Sequence, residues 1–331
     1  GLDSSLICSI VARKFKEQNK GILNTFSIGL KNSPDLYYAK LVAEHIGSKH
    51  HNIELTEQDF LNAIPEVIYA IESYDTTTVR ASVPNYLIGK YIKENTQCTV
   101  IYNGDGSDEQ SGYIYLGNAP NSQLFHEECV NLLKEIHYFD VLRSDRSISS
   151  KWSLESRTPF LDKDFVQYYM SINPIFKMYW NKNNNIHHSY IVNIQQIEKY
   201  LLRKSFAVSK TNSYQYLPDE VLWRPKEAFS DGCSANNRSW HNIIQEYVDT
   251  FITNEDLLNA KLLYKNHNPP QLKESLYYRQ IFEKLFNNNI IDHSNIIPHY
   301  WLPKWCGDQN DPSSCNLDHY IKSIIIKINN K

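Results

Sequence analysis

The N-terminal third of the chain switches between two hydrophobic periods. Leu6, Ile7, Ile10, Val11 and Phe15 recur at helical spacing and predict a helix over 4–18, after which the run at 24–29 predicts a strand. Ser33-Pro34 reads as a helix start, with a capping serine and a proline at the first helical position. Leu36, Ala39, Val42, Ala43 and Ile46 carry that helix's apolar face as far as Gly47. A short strand follows over 51–55. Thr56 and Asp59 have the spacing of a capping box ahead of a helix to Ile71, and a further helix over 83–94 leads into a strand at 99–102. Helices alternating with strands predict an α/β fold built on a doubly wound parallel sheet.

After Gly112 the strand signals fade. Helical periodicity dominates over 127–142, 163–170, 196–206, 240–251 and 273–286, so the chain divides into an α/β core over 1–120 and a helix-rich remainder over 121–331. The asparagine-rich segments Trp180 to His188 and Asn287 to Asn289 read as exposed loops, and no internal repeat is found.

Composition narrows the classes. A chain of 331 residues, 41% of them apolar, can bury a sizeable core in one large domain or two closely joined lobes. No apolar run approaches the ~20 residues that cross a bilayer, and no signal-peptide pattern opens the chain, which predicts a cytosolic protein with no membrane partner. A net charge of −3 argues against nucleic acid held by bulk electrostatics. The cysteines at 8, 98, 129, 233, 306 and 315 include no Cys-x-x-Cys pair, so reduced thiols are expected rather than a zinc site or a disulfide framework. His50-His51 and His187-His188 are weak metal candidates, because adjacent residues on a strand point to opposite faces.

Candidate chemistry centres on 99–109. There the apolar run Thr99-Val100-Ile101-Tyr102 passes into Asn103-Gly104-Asp105-Gly106-Ser107-Asp108-Glu109, the pattern of a buried parallel strand ending in a tight loop at a ligand crevice. The glycines permit close backbone approach, and the three carboxylates would attract a divalent cation or a cationic substrate; a solvated surface turn is the alternative. A second such stretch opens the chain. Gly1-Leu2-Asp3-Ser4-Ser5 leads into the first helix, whose N-terminus suits a phosphate. Ser4 and Ser5 could add donors and Asp3 could hold a metal ion, although Asp-Ser before an apolar run is also a plain helix cap.

Together these stretches resemble the asparagine synthetase family. Gly1-Leu2-Asp3-Ser4-Ser5 is similar to the end of its Ser-Gly-Gly-Leu-Asp-Ser-Ser pyrophosphate loop, and Asn103 to Glu109 to its Ser-Gly-Glu-Gly-Ser-Asp-Glu loop. Further blocks match in order: Thr25 to Leu30, Ser73 to Ser82, Phe139 to Arg143, Glu155 to Asp162, Trp223 to Gly232, Tyr300 to Trp305 and Asp311-Pro312-Ser313. The resemblance covers essentially the whole chain.

The resemblance implies an adenine nucleotide alpha hydrolase-like fold with a nucleotide-binding core over 1–120. It also implies ATP-dependent conversion of aspartate to asparagine through β-aspartyl-AMP, with release of AMP and pyrophosphate. Asp3 and Asp108 would bind a magnesium ion (Mg2+), Ser4 and Ser5 the phosphates, and Lys226 would pair with them. Ile28, Asn103 and Gly104 would meet the nucleotide. Thr77, Thr78 and Arg80 would receive aspartate, though Arg80 could equally form a structural salt bridge and Ile28 could simply be core. Asp105 stands where the family has a catalytic glutamate, one methylene longer, and Asn103 where it has a serine. The family's first strand would precede Gly1, and its glutamine-hydrolysing domain, the source of ammonia, would lie upstream. The chain is therefore expected to be a piece of a longer one, poorly active by itself; a homodimer stays open. Two further readings remain: a degenerate, non-catalytic paralogue that binds nucleotide or partners, and another adenylating synthetase resembling the β-lactam synthetases.

Overall fold

A computed structural model of the protein describes residues 1–138, 142–179, 197–234, 238–286, 302, 304 and 305. The order of the first elements follows their sequence signals. α1 (Leu2–Glu17) leads to β1 (Asn24–Leu30), α2 (Pro34–Ile46), β2 (Lys49–Leu55) and α3 (Glu57–Ile71). Ser33 caps α2 through its hydroxyl, and Gly47 ends that helix in the left-handed conformation with φ +68°. Thr56 and Asp59 form the reciprocal capping box of α3.

The next helix starts earlier than its apolar periodicity predicts. α4 spans Thr76–Asn95 rather than beginning near residue 83, because the Asp75 carboxylate accepts the Thr78 amide and fixes the helix start there. Pro84 lies inside it.

β3 (Val100–Tyr102) is followed by the short α5 (Ser107–Ser111), then by α6 (Ser122–Glu135) and a π-helical stretch over Leu142–Ser150. β4 (Glu155–Arg157) is a strand that the fading signals after Gly112 did not predict; it is short and polar, and pairs in parallel with β3. Helices complete the described chain: α7 (Lys163–Ser171), α8 (Tyr200–Phe206), α9 (Asp219–Leu222), α10 (Phe229–Gly232), α11 (Trp240–Asp249), α12 (Asn254–Leu263) and α13 (Lys273–Phe286). The Trp180 to His188 and Asn287 to Asn289 segments and His187-His188 lie outside the described residues. So do Cys306, Cys315, Asp311-Pro312-Ser313 and most of the Tyr300 to Trp305 block.

The architecture is α/β and mostly helical. Instead of one doubly wound sheet, the described residues form two separate parallel pairs, β1 with β2 and β3 with β4. β1 becomes continuously buried toward its C-terminal end, as a parallel strand covered on both faces does. The largest apolar cluster joins α3 and α4 to α11 and α13 through Phe60, Ile64, Val67, Val83, Trp240 and Phe282. No helix among the described residues is long and apolar enough to cross a membrane.

Candidate functional site

Two glycines let the acidic loop after β3 reach the start of α1. A Cβ on Gly104 would lie 2.6 Å from the Ser4 amide nitrogen and 2.7 Å from the Asp3 Cβ, so only glycine permits this approach. Gly106 turns at φ +88°, where a side chain would also collide with Leu161. The turn aims Ser107 and Asp108 at Asp3, and the Ser107 hydroxyl donates to Asp3 Oδ1 at 2.8 Å.

Two lysines from the second half of the chain close the cluster. Lys199 Nζ lies 2.7 Å from both carboxylate oxygens of Asp3 and 2.5 Å from Asp108 Oδ1, and Lys226 Nζ donates to Asp108 Oδ2 at 2.5 Å. Lys226 reaches the cluster because its segment is fastened to the N-terminal core. Arg224 donates to Asp35 at 2.8 Å, and the Leu30 amide donates to the Cys233 carbonyl oxygen at 2.7 Å. Burial by itself would raise the Asp108 carboxyl and lower Lys226. The facing charges of Lys199 and Lys226 outweigh it and hold Asp108 well below the usual carboxylate range, while those of Asp108 and Asp3 hold Lys226 above the usual lysine range.

Asp105 sits beside this cluster in a more hostile setting. Burial, with help from Glu109 and Asp108, pushes its carboxyl up to about 6 against the opposing pull of Arg143 and Lys226. Its Oδ2 accepts from the Ser144 hydroxyl, and its amide donates to Asn103 Oδ1 at 3.1 Å. Asn103 donates in turn to Ser156 at 2.9 Å and Ser144 at 3.3 Å, bracketing the loop from both sides. Glu109 accepts from the Tyr113 hydroxyl at 2.5 Å, and among the described residues the three carboxylates do not form one metal-binding group.

The other expected site residues have different surroundings. The Ser5 hydroxyl donates to the Gly1 carbonyl oxygen at 2.6 Å, while Ser4 is exposed at the uncapped start of α1. Ile28 is fully buried in β1, paired with Ile53. Thr78 is spent on Asp75, to which its hydroxyl donates at 2.7 Å; the Thr77 hydroxyl is buried with no partner among the described residues. Arg80 forms a buried ion pair with Glu274. Its Nε donates to Glu274 Oε1 at 2.7 Å and a terminal nitrogen to Oε2 at 2.5 Å, so the fork offered to a substrate carboxylate is filled by a carboxylate of α13.

Lys199 was missed by sequence reasoning, hidden in the helical run read over 196–206. Glu274, the partner of Arg80, is hidden in the run over 273–286 in the same way, and no local spacing marks Ser144.

Comparison with known proteins fixes the family. The family model described as asparagine synthase matches residues 1–121 and 110–304. The chain belongs to the asparagine synthase family. It is 46% identical over 327 residues to asparagine synthetase [glutamine-hydrolyzing] of Gallus gallus, a match covering 98% of this chain and 54% of that relative. To the enzyme of the same name from Homo sapiens it is 43% identical over 326 residues, covering 98% and 54%. To that of Cricetulus griseus it is 44% identical over 322 residues, covering 97% and 53%. The chain spans about half the length of the curated relatives it matches. Within this asparagine synthase framework, the meeting of Asp3, Asp108, Lys199 and Lys226 comes from four separate segments, and no group of three or more His, Cys, Asp or Glu among the described residues could hold a metal alone.

Proposed function

We propose that this chain is the synthetase part of an enzyme that amidates L-aspartate to L-asparagine at the expense of ATP, fed with ammonia by a glutaminase domain upstream. The observation that carries this reading is the convergence of Asp3 and Asp108 on the ammonium of Lys199, with Lys226 on the far oxygen of Asp108. Two carboxylates that already share one cation suit Mg2+, which is commonly held by one or two carboxylates and completes its shell with water and substrate phosphates. Bound there, the ion would neutralise charge on the departing pyrophosphate.

The chain's own groups do the rest. Lys199 and Lys226 exchange carboxylate oxygens for phosphate oxygens and stabilise the charge that grows as the bond between the α- and β-phosphates breaks. The aspartate side-chain carboxylate forms the new bond to the α-phosphorus, and ammonia then forms the amide as AMP leaves. Asp105, with a carboxyl that titrates at about 6, is suited to take the proton ammonia gives up. Thr77 offers an unspent buried hydroxyl for orienting aspartate, and Arg80 serves the fold. β1–β2 and β3–β4 are read as halves of one doubly wound sheet, joined by a strand ahead of α1. The length of the relatives supports that extension.

The test is pyrophosphate release by the full-length protein supplied with ATP, Mg2+ and ammonium. Release that depends on aspartate is expected; release that needs a different carboxylic acid would overturn the assignment.

A further inference from the structure

We propose that Arg203 is a positioning residue that sets Lys199 and Lys226 together from a single buried guanidinium; the proposal rests on reading their cluster as the pyrophosphate site. Arg203 is 1% exposed and touches neither Asp3 nor Asp108 in any of its hydrogen bonds. Its Nε donates to the Glu198 carbonyl oxygen at 2.9 Å, one terminal nitrogen donates to the Leu222 carbonyl oxygen at 2.6 Å, and the other donates to the Glu198 carboxylate. Three acceptors on two distant segments are therefore met by one planar fork.

Both segments lead into a functional lysine, Glu198 directly and Leu222 four residues ahead. Glu198 precedes Lys199 directly, and the Lys199 backbone is held at φ +57°, a left-handed conformation that is costly outside glycine and persists only where neighbours enforce it. Arg203 grips this residue from both sides. Its side chain binds the peptide before Lys199, and its own amide donates to the Lys199 carbonyl oxygen at 2.9 Å in the first turn of α8. Leu222 ends α9, where the last carbonyls lack helical partners, and the chain runs from it through Trp223, Arg224 and Pro225 to Lys226. The indole of Trp223 lies 5.9 Å from the ring of Tyr200, a second contact between the same two segments.

A lysine could not replace this fork, because one compact ammonium cannot reach all three acceptors in the plane they define. The two ammoniums consequently move as a unit. A shift of either segment displaces both positive charges from the oxygens they face.

The experiment measures binding of inorganic pyrophosphate with Mg2+ to the full-length protein by calorimetry, alongside KM values for ATP, aspartate and ammonia. Arg203→Met is expected to weaken pyrophosphate binding about tenfold and raise the ATP KM similarly, with the aspartate and ammonia KM values unchanged. Arg203→Lys keeps the charge but not the fork and should lose about threefold. Combining Arg203→Met with Lys226→Met should cost less than the product of the single effects, since one variant displaces what the other removes. A folded Arg203→Met protein that binds pyrophosphate as the parent does would overturn the proposal. If that variant does not fold, an unchanged Arg203→Lys protein overturns it equally. Lys199→Met and Lys226→Met separate the two ideas. If neither weakens pyrophosphate binding, the site reading itself fails; if both do while Arg203→Met does not, only the role of Arg203 fails.

Discussion

Two charged networks in this molecule use the same chemistry to opposite ends. In one, Arg80 and Glu274 are 4% and 0% exposed, bonded through both arms of the guanidinium, and Gln245 and the Tyr278 hydroxyl also donate to the carboxylate, at 2.7 and 2.8 Å. In the other, Asp108 and Lys226 are 17% and 20% exposed, and two carboxylates and two ammoniums meet from four loops or helix ends. The first network is buried: the Glu274 carboxylate is fully spent on protein donors, and it rivets α4 to α13. The second is less deeply buried except at Lys199, which is 1% exposed, and its partners are of a kind that phosphate and metal can exchange. A buried, saturated ion pair marks architecture, whereas an accessible cluster of balanced charges on converging loops marks a site.

The sharpest way to break this contrast is Arg80→Met. Leaving Glu274 buried without its partner should destabilise the protein by about 3–5 kcal/mol, read by chemical denaturation. Replacing both partners, Arg80→Met with Glu274→Leu, should recover much of that stability. If the recovered double variant also keeps its aspartate KM, Arg80 is architectural; if it folds but no longer saturates with aspartate, the clamp reading returns. The pH dependence follows from the sign of the shift. Burial opposes ionisation of Glu274, but Arg80 outweighs it and holds the carboxyl below its ordinary value. The pair's contribution is therefore complete above the ordinary glutamate range of ~4.3 and is lost as pH falls through the depressed value.

Asp108→Asn tests the second network. Removing one negative charge should cost turnover about 10²–10³-fold, or ~3–4 kcal/mol of transition-state stabilisation, with the fold retained. Loss of folding on the scale of Arg80→Met, with no specific kinetic defect in the residual folded protein, would erase the distinction between the networks.

The same contrast explains what the sequence could reveal. Capping chemistry is local, so Ser33-Pro34 and Thr56 with Asp59 announce α2 and α3 within a few residues of their true ends. Asp3, Asp108 and Lys226 were readable because their motifs carry them, and the structure brings all three together. Glu274 was not readable: it meets Arg80 across 194 positions and sits in a helix whose periodicity reports only its apolar face. Lys199 was hidden likewise by the helix it precedes. β4 failed for another reason, since Glu155-Ser156-Arg157 has no apolar alternation and is a strand only because β3 lies beside it. The start of α4 was misjudged because Asp75 sets it through its side chain, whereas the expectation followed apolar spacing alone.

Asp105 lies between the two extremes and sharpens the comparison with the smallest expected effect. Its carboxyl is raised to about 6, chiefly by burial, so the folded protein holds a proton there that the unfolded chain has already released. Ionised Asp105 therefore costs stability, and the cost grows from about pH 4 to about pH 6 and is constant above it. Asp105→Asn keeps an acceptor for the Ser144 hydroxyl and removes that cost. It is expected to be more stable than the parent by about 1–3 kcal/mol at pH 8, with roughly half that gain at pH 5, while losing turnover. Denaturation curves at the two pH values measure it. A variant that is less stable at both would mean that the Ser144 hydroxyl and the facing charge of Arg143 hold the carboxylate as securely as Arg80 holds Glu274, which would put Asp105 on the architectural side of the divide.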